Sequence, residues 1–102
     1  MGTRIQLHEK LLALFGSNHV YFQPPPTIKM SYPAIVYNLD GIYERPANNK
    51  MYVAEKRYTV TFIHKDPDVD YSDDMYSAFS MCSFDRRFVS DNLYHDVYTL
   101  YY

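Results

Sequence analysis

MYVAEKRYTVTFIH, residues 51–64, is the stretch that decides the fold. In its second half apolar side chains alternate with polar ones, with Tyr58, Val60 and Phe62 on one side and Arg57, Thr59 and Thr61 on the other. Such alternation is typical of a strand that packs one face on a core and turns the other toward water. The stretch therefore predicts a strand, the longest in the chain.

A second strand is predicted just before it. YPAIVYNL, residues 32–39, is rich in β-branched and aromatic residues, which favour strands. Asp40-Gly41 indicates a turn or bulge, beyond which residues 42–45 can continue the strand. Residues 46–50 hold a cluster of turn-forming residues. Two long strands joined there predict a long protruding β-hairpin.

The flanking segments supply two helices and two more strands. A capping box at Thr3 and Gln6 starts the first helix, and Gly16 ends it. Ser72 is predicted as the N-cap of a short helix that reaches about Ser80. Two strands follow, at 84–89 and 94–102, around a turn at 90–92, and a further short strand is possible at 19–23. We predict an α+β fold of order α-β-β-α-β-β, with a mainly antiparallel sheet and both helices packed on one face.

Composition limits the classes of function. The 102 residues fit a single domain, 1–102, and the net charge of −2 gives no general attraction to nucleic acid or anionic lipid. No apolar run approaches the roughly 18 residues that span a bilayer, so we expect no membrane partner. A single cysteine, Cys82, excludes an internal disulfide.

The acidic segment after the long strand matches part of a calcium-binding loop but departs from it at two required positions. Asp66, Asp68 and Asp70 match the first three ligands of a calcium loop. However, Tyr71 stands where that loop needs Gly, and Ser77 stands where it needs Glu. We therefore expect a solvated acidic loop and no metal.

Catalytic arrangements are also disfavoured. His95 and Asp96 are adjacent in a predicted strand and so point to opposite faces, which prevents them from forming an orienting pair with each other. Cys82 follows Met81 and is interpreted as a small buried hydrophobe. No nucleophile, base and orienting group are brought together, so we expect no enzyme activity and no cofactor.

Contact with another protein is the favoured role of the hairpin. Ile42 and Tyr43 are apolar residues near its tip and are surrounded by charges. Basic residues concentrate in 45–57 and acidic ones in 66–74, and head-to-tail rings use two such different patches. The alternative is a simple solvated hairpin. We predict an oligomer interface at Ile42, Tyr43, Glu44, Arg45, Lys50, Arg57 and Arg86.

Three segments carry a resemblance to a known group. VYFQPP (20–25), YPAIVY (32–37) and CSFDRRFVSDNLYHDVYTLYY (82–102), together with the order of the elements, resemble the tail terminator, or tail-to-head joining, proteins of long-tailed bacteriophages. The resemblance implies a structural protein that forms a homohexameric ring on the tail tube. Such a ring ends tube polymerisation and joins the tail to the head connector.

The resemblance also implies location and partners. The protein would be made in the host cytoplasm and reside in the virion, at the head-proximal end of the tail. Its partners would be copies of itself, the tail tube protein and the head–tail connector proteins. DNA would pass through the ring without specific binding, and we expect Asp66, Asp68 and Asp70 to face that channel because acids do not hold DNA.

Two other functions stay open from the sequence. One is a different head–tail connector, adaptor or head-completion protein. The other is a small single-stranded nucleic-acid-binding module that stacks bases on Tyr58 and Tyr98 and contacts phosphate with Arg86.

Overall fold

The computed structural model describes residues 4–16, 19–24, 32–47, 51–68 and 70–102, and for 43–47 and 51–55 it describes the backbone alone. The elements, in chain order, are α1 (Arg4–Phe15), β1 (Val20–Phe22), β2 (Ala34–Ala47), β3 (Met51–His64), α2 (Ser72–Ala78), β4 (Cys82–Ser90) and β5 (Leu93–Tyr101). The long strand predicted at 51–64 is confirmed, as is the strand preceding it.

The five strands form one mixed sheet in the order β1-β2-β3-β5-β4. The pairings of β2 with β3, β3 with β5 and β4 with β5 are antiparallel, whereas β1 runs parallel to β2. The α+β class is therefore confirmed. The predicted order α-β-β-α-β-β is incomplete, because the short strand considered possible at 19–23 does form, as β1.

Both helices pack on the same face of the sheet. Leu7 and Leu11 of α1 and Met75 of α2 belong to one buried cluster with alternate residues of the strands. The strand members are Val20, Ile35, Tyr37, Tyr58, Val60, Phe62, Tyr98 and Leu100. Burying a large apolar side chain contributes about 1.5–3 kcal/mol, so this layer supplies most of the drive to fold.

The ends of α1 illustrate one confirmed prediction and one untested one. Gly16 adopts a left-handed φ of 71°, and its N–H donates to the Leu12 carbonyl at 2.9 Å, which stops the helix as expected. The proposed cap at Thr3 lies outside the described residues.

The cap of α2 differs from the prediction. Ser72 is the first helical residue and not the N-cap, and the cap position at Tyr71 makes no side-chain hydrogen bond. Instead the Ser72 N–H donates to Asp70 Oδ1 at 2.9 Å. A carboxylate is a good acceptor for an unpaired N–H at this end of a helix, so Asp70 takes over the role assigned to Ser72.

Candidate functional site

The β2–β3 hairpin extends beyond the rest of the sheet. Its pairing runs from Ala34↔Ile63 to Ala47↔Met51, but β1 accompanies β2 only as far as Tyr37. On the other side β5 pairs with β3 no further than Arg57. We call residues 43–47 and 51–55 the ribbon; among the described residues, its five strand pairs have no further strand beside them.

The base of the ribbon is irregular. The register of β2 against β3 shifts between Leu39 and Gly41, which confirms the bulge or turn predicted at Asp40-Gly41. The Arg57 guanidinium donates to Asp40 Oδ2 at 3.1 Å across this irregularity. A Cβ at Gly41 would lie 3.0 Å from Arg57 Nη2, so glycine leaves room for that ion pair.

The predicted interface residues fall in two separate places. Ile42 is 56% exposed at the base of the ribbon, close to Arg57. Arg86 lies on β4, the strand at the far edge of the sheet, where it contacts Asp85 and has a 62% exposed side chain. The structure therefore does not bring Arg86 together with the hairpin residues. The backbones of Tyr43, Glu44 and Arg45 form part of the ribbon, and Lys50 lies outside the described residues.

A cleft of about 540 Å³ opens beside β4, at the end of the sheet opposite the ribbon. We call it the acidic cleft; it is lined by Pro67, Asp68, Asp70, Ser72, Tyr76, Phe84, Arg87 and Asp96. Tyr76 and Phe84 are its aromatic walls, and both remain nearly half exposed. The Phe84 N–H donates to the Tyr76 hydroxyl at 3.2 Å, which fixes the two walls relative to each other.

Beneath the cleft lies a buried ionic network. The Asp96 carboxylate is 2% exposed and accepts hydrogen bonds from the Arg87 Nε and Nη2 atoms and from His64 Nε2, the last at 2.9 Å. Arg87 Nη1 also donates to the Pro67 carbonyl at 2.9 Å. The network thus joins β3, β4, β5 and the loop that precedes α2.

The network keeps Asp96 ionised. Burial alone would raise the pKa of this carboxyl, but the hydrogen bonds from Arg87 and His64 outweigh burial and lower the pKa below its usual value. The sequence analysis missed this network because its members are separated by 9 and 32 positions and meet only through the strand register. Nothing in the local sequence around any one of them indicates it.

The three acids predicted to face a channel lie in the exposed loop after β3. Asp66 Oδ1 accepts the Asp68 N–H at 2.9 Å. Hydrogen bonds from the Ser72 side chain and from the Ser72 N–H lower the pKa of Asp70. No group of three or more His, Cys, Asp or Glu side chains is arranged for a metal in the part of the chain that the structure describes. The exposure of these acids suits either a channel wall or contact with a basic surface.

His95 and His64 both make contacts within the fold. His95 does not pair with Asp96, as expected from their opposite faces; its Nδ1 lies 3.1 Å from the Leu93 carbonyl and its ring stacks on Phe88. His64 does contact Asp96, but its Nδ1 is buried and has no partner among the described residues. The Asp96–His64 pair therefore presents no accessible nitrogen to a substrate.

The base-stacking hypothesis fails for the two tyrosines it named. Tyr58 is 2% exposed and Tyr98 is 1% exposed, and both rings face the helices. Neither can receive a nucleobase without opening the core. Cys82 is only partly buried, and burial raises the pKa of its thiol to about 11, which disfavours the reactive thiolate at neutral pH.

No helix in the described ranges is long and apolar enough to cross a bilayer. Comparison of the whole chain with known protein families and with curated proteins finds no match to either.

Proposed function

We propose that this chain is a structural virion protein of a long-tailed bacteriophage, which forms a ring on the end of the tail tube, stops tube growth and joins the tail to the head connector. The observation that carries the proposal is the ribbon. Its five strand pairs extend about 16 Å at roughly 3.3 Å per residue and gain no support from a neighbouring described strand. An isolated two-stranded hairpin is only marginally stable in water. Contact with another protein would stabilise the ribbon and account for its length.

Two further features support an assembly role. Ile42 at the base of the ribbon is a large apolar side chain left exposed. At the other edge of the sheet, β4 is exposed almost along its whole length and carries Phe84, Phe88 and Val89 at its surface. A ring of identical subunits needs two different surfaces, since each copy contacts one neighbour with one surface and the next neighbour with the other.

The proposal includes the partners expected from the resemblance. The ring would be a homohexamer that contacts the tail tube protein on one side and the connector on the other. DNA would pass through it without specific binding, which agrees with the net charge of −2. No catalytic step is needed for this role, and the inaccessible nitrogens of the Asp96–His64 pair agree with that.

Light scattering tests the proposal directly. We expect the purified protein, alone or mixed with the tail tube protein, to give a species of roughly six times the 12.1 kDa chain mass. Ile42→Ser should reduce the amount of that species. Ile5→Ser is the matched control, because Ile5 is equally exposed but lies on α1. A protein that stays monomeric even with the tube protein would contradict the proposal.

A deletion in the phage separates the proposed role from its nearest alternative. Loss of a tail terminator should leave overlong or unjoined tails in negative-stain images. Normal free tails beside leaky heads would instead identify a head-completion protein or another connector.

A further inference from the structure

The outer edge of β4 has no described strand beside it, because β4 stands at the end of the strand order of the sheet. From Ser83 to Ser90 every residue of this strand is exposed. Phe88 is 39% exposed and Val89 is 62% exposed, and they lie on opposite faces because side chains alternate along a strand. The strand holds no proline and no lysine, residues that commonly protect such edges. This edge can therefore accept another strand.

The backbone of β4 is directed outward at Val89. The two-residue turn Asp91-Asn92 makes Ser90 and Leu93 the closing pair, whose N–H and C=O groups face each other. The two kinds of residue pair alternate along an antiparallel ladder. The N–H and C=O of Val89 therefore point away from β5, whereas those of Phe88 point toward it. A further strand would bond to β4 at Val89.

The first half of the same edge is covered by α2. The Phe84 N–H donates to the Tyr76 hydroxyl at 3.2 Å, so Tyr76 occupies the position that an incoming strand would need beside Phe84. A bulge between Phe84 and Arg86 also interrupts regular pairing there. The part of the edge that is open to another strand is therefore residues 86–90.

We propose that two free copies of this chain pair through residues 86–90 of β4, antiparallel and about a two-fold axis at Phe88. Val89 of each copy would lie opposite Arg87 of the other and exchange backbone hydrogen bonds with it. The strand at the opposite edge of the sheet, β1, has three residues, so β4 of a second copy is the edge that matches in length. The inference goes beyond the proposed function, because a two-fold contact alone does not build the ring.

Aromatic rings would line up across this contact. The Phe88 ring stacks on His95 of β5, with ring centroids 4.7 Å apart and planes inclined by 12°. The Arg86 guanidinium lies 5.5 Å from the centroid of the same Phe88 ring. Phe88 of the second copy would lie directly opposite and extend the stack into a row of two phenylalanines between two histidines. Cross-strand aromatic pairs stabilise sheets, and this pair would cover the exposed part of each Phe88.

Other registers of the two strands are less favourable. Sliding the second strand two residues toward α2 would place Arg87 opposite Arg87 of the other copy. It would also bring Ser90 of the other copy to Phe84, where the Tyr76 hydroxyl already stands. Sliding it two residues the other way would leave only 88–90 paired, because the turn begins after Ser90. A shift of one residue would set outward backbone groups of one strand against inward groups of the other.

Engineered disulfides test the register. Facing residues of a non-hydrogen-bonded pair have Cα atoms about 4.5 Å apart, so Phe88→Cys should form a disulfide between two copies. Val89→Cys is the matched control, because Val89 is more exposed but its two Cα atoms would be about 8 Å apart, too far for a disulfide. Both variants carry Cys82→Ala. We expect the Phe88→Cys protein to form covalent dimers at least about tenfold faster under mild oxidation.

Analytical ultracentrifugation tests the contact without new cysteines. Wild-type protein without the tube protein should show a dimer of twice the 12.1 kDa chain mass. Phe88→Lys sets two ammonium groups opposite each other and should raise the dissociation constant of that dimer at least about fivefold. Met81→Lys makes the same substitution at an exposed apolar residue outside the contact and should change the constant by less than about twofold.

Three outcomes would overturn the inference. The first is cross-linking of Val89→Cys as fast as Phe88→Cys, which would show random collision or another register. The second is self-association that Phe88→Lys leaves unchanged, which would place the contact elsewhere. The third is a wild-type protein that stays monomeric up to about 1 mM, a concentration at which even weak contacts form. Each of these leaves the ring on the tail tube to be judged separately, by mixing with the tube protein.

Discussion

Arg87→Leu is expected to destabilise the fold strongly, because Arg87 holds the one buried carboxylate described in the sheet. The substitution removes two hydrogen bonds to Asp96 and one to the Pro67 carbonyl. Leucine keeps part of the aliphatic stem, so little packing is lost. Asp96 is then left almost fully buried with His64 as its remaining side-chain partner.

The size of the effect follows from burial. Removing one partner of a buried ion pair costs about 3–5 kcal/mol, chiefly because the other charge is left uncompensated. The Arg87 side chain is 33% exposed, so water replaces part of what is lost. We therefore expect the free energy of unfolding to fall by about 3 kcal/mol, a large share of the roughly 5–15 kcal/mol typical of a domain.

Urea denaturation followed by circular dichroism measures the change, and Arg86→Leu is the matched control. Arg86 is the next residue on the same strand, but its pair with Asp85 is exposed, and such pairs contribute about 0–1 kcal/mol. A loss below about 1 kcal/mol for Arg87→Leu, or equal losses for the two variants, would refute the assigned role of the network.

The pH dependence gives an independent check of the same network. The pKa of Asp96 is lowered by folding, so its contribution to stability is complete above the ordinary aspartate pKa of 3.8 and is lost as the pH falls through the folded value. Wild-type protein should therefore lose more stability between about pH 5 and pH 2.5 than Arg87→Leu does. Parallel pH profiles for the two proteins would contradict this account.

Three other outcomes are expected. Leu11→Ala should lower the free energy of unfolding by about 3 kcal/mol, and Ile5→Ala on the exposed side of α1 by under about 0.5 kcal/mol; equal losses in urea titrations would contradict the packing of this helix. Gly16→Ala should lower the free energy of unfolding by about 1 kcal/mol, because the left-handed backbone at this position disfavours a side chain; no neighbouring atom would clash with the added Cβ. An unchanged melting temperature would refute that reasoning. With its pKa raised to about 11, Cys82 should react with iodoacetamide about a hundredfold more slowly in the folded protein than in urea, and similar rates would show that the thiol is accessible.

Strands with a clear pattern could be predicted closely from the sequence. The alternation around Tyr58, Val60 and Phe62 gave β3, and the turn residues gave the β4–β5 hairpin, where Asp91 and Asn92 both adopt positive φ. Such a two-residue turn matches the twist of the strands it joins. These features are encoded within a few neighbouring residues, so a single sequence is enough to reveal them.

Features that depend on three-dimensional neighbours could not be predicted. To predict that β1 pairs in parallel with β2, one must know that β2 has a free edge, and that depends on the order of the other strands. The Arg87–Asp96–His64 network requires the register of three strands, and the acidic cleft requires the position of α2 above β4. In the candidate site, the separation of Arg86 from the hairpin likewise arises from strand order and not from any local signal.

The ribbon also determines where the protein can tolerate insertions and deletions during evolution. The described core includes no residue between Tyr37 and Tyr58, so the free part of the hairpin can lengthen or shorten without repacking the domain. Insertions of one residue in each strand would preserve cross-strand pairing and extend its reach in steps of about 3.3 Å. We therefore expect proteins that share this fold to differ mainly in hairpin length, while the two-layer domain stays the same.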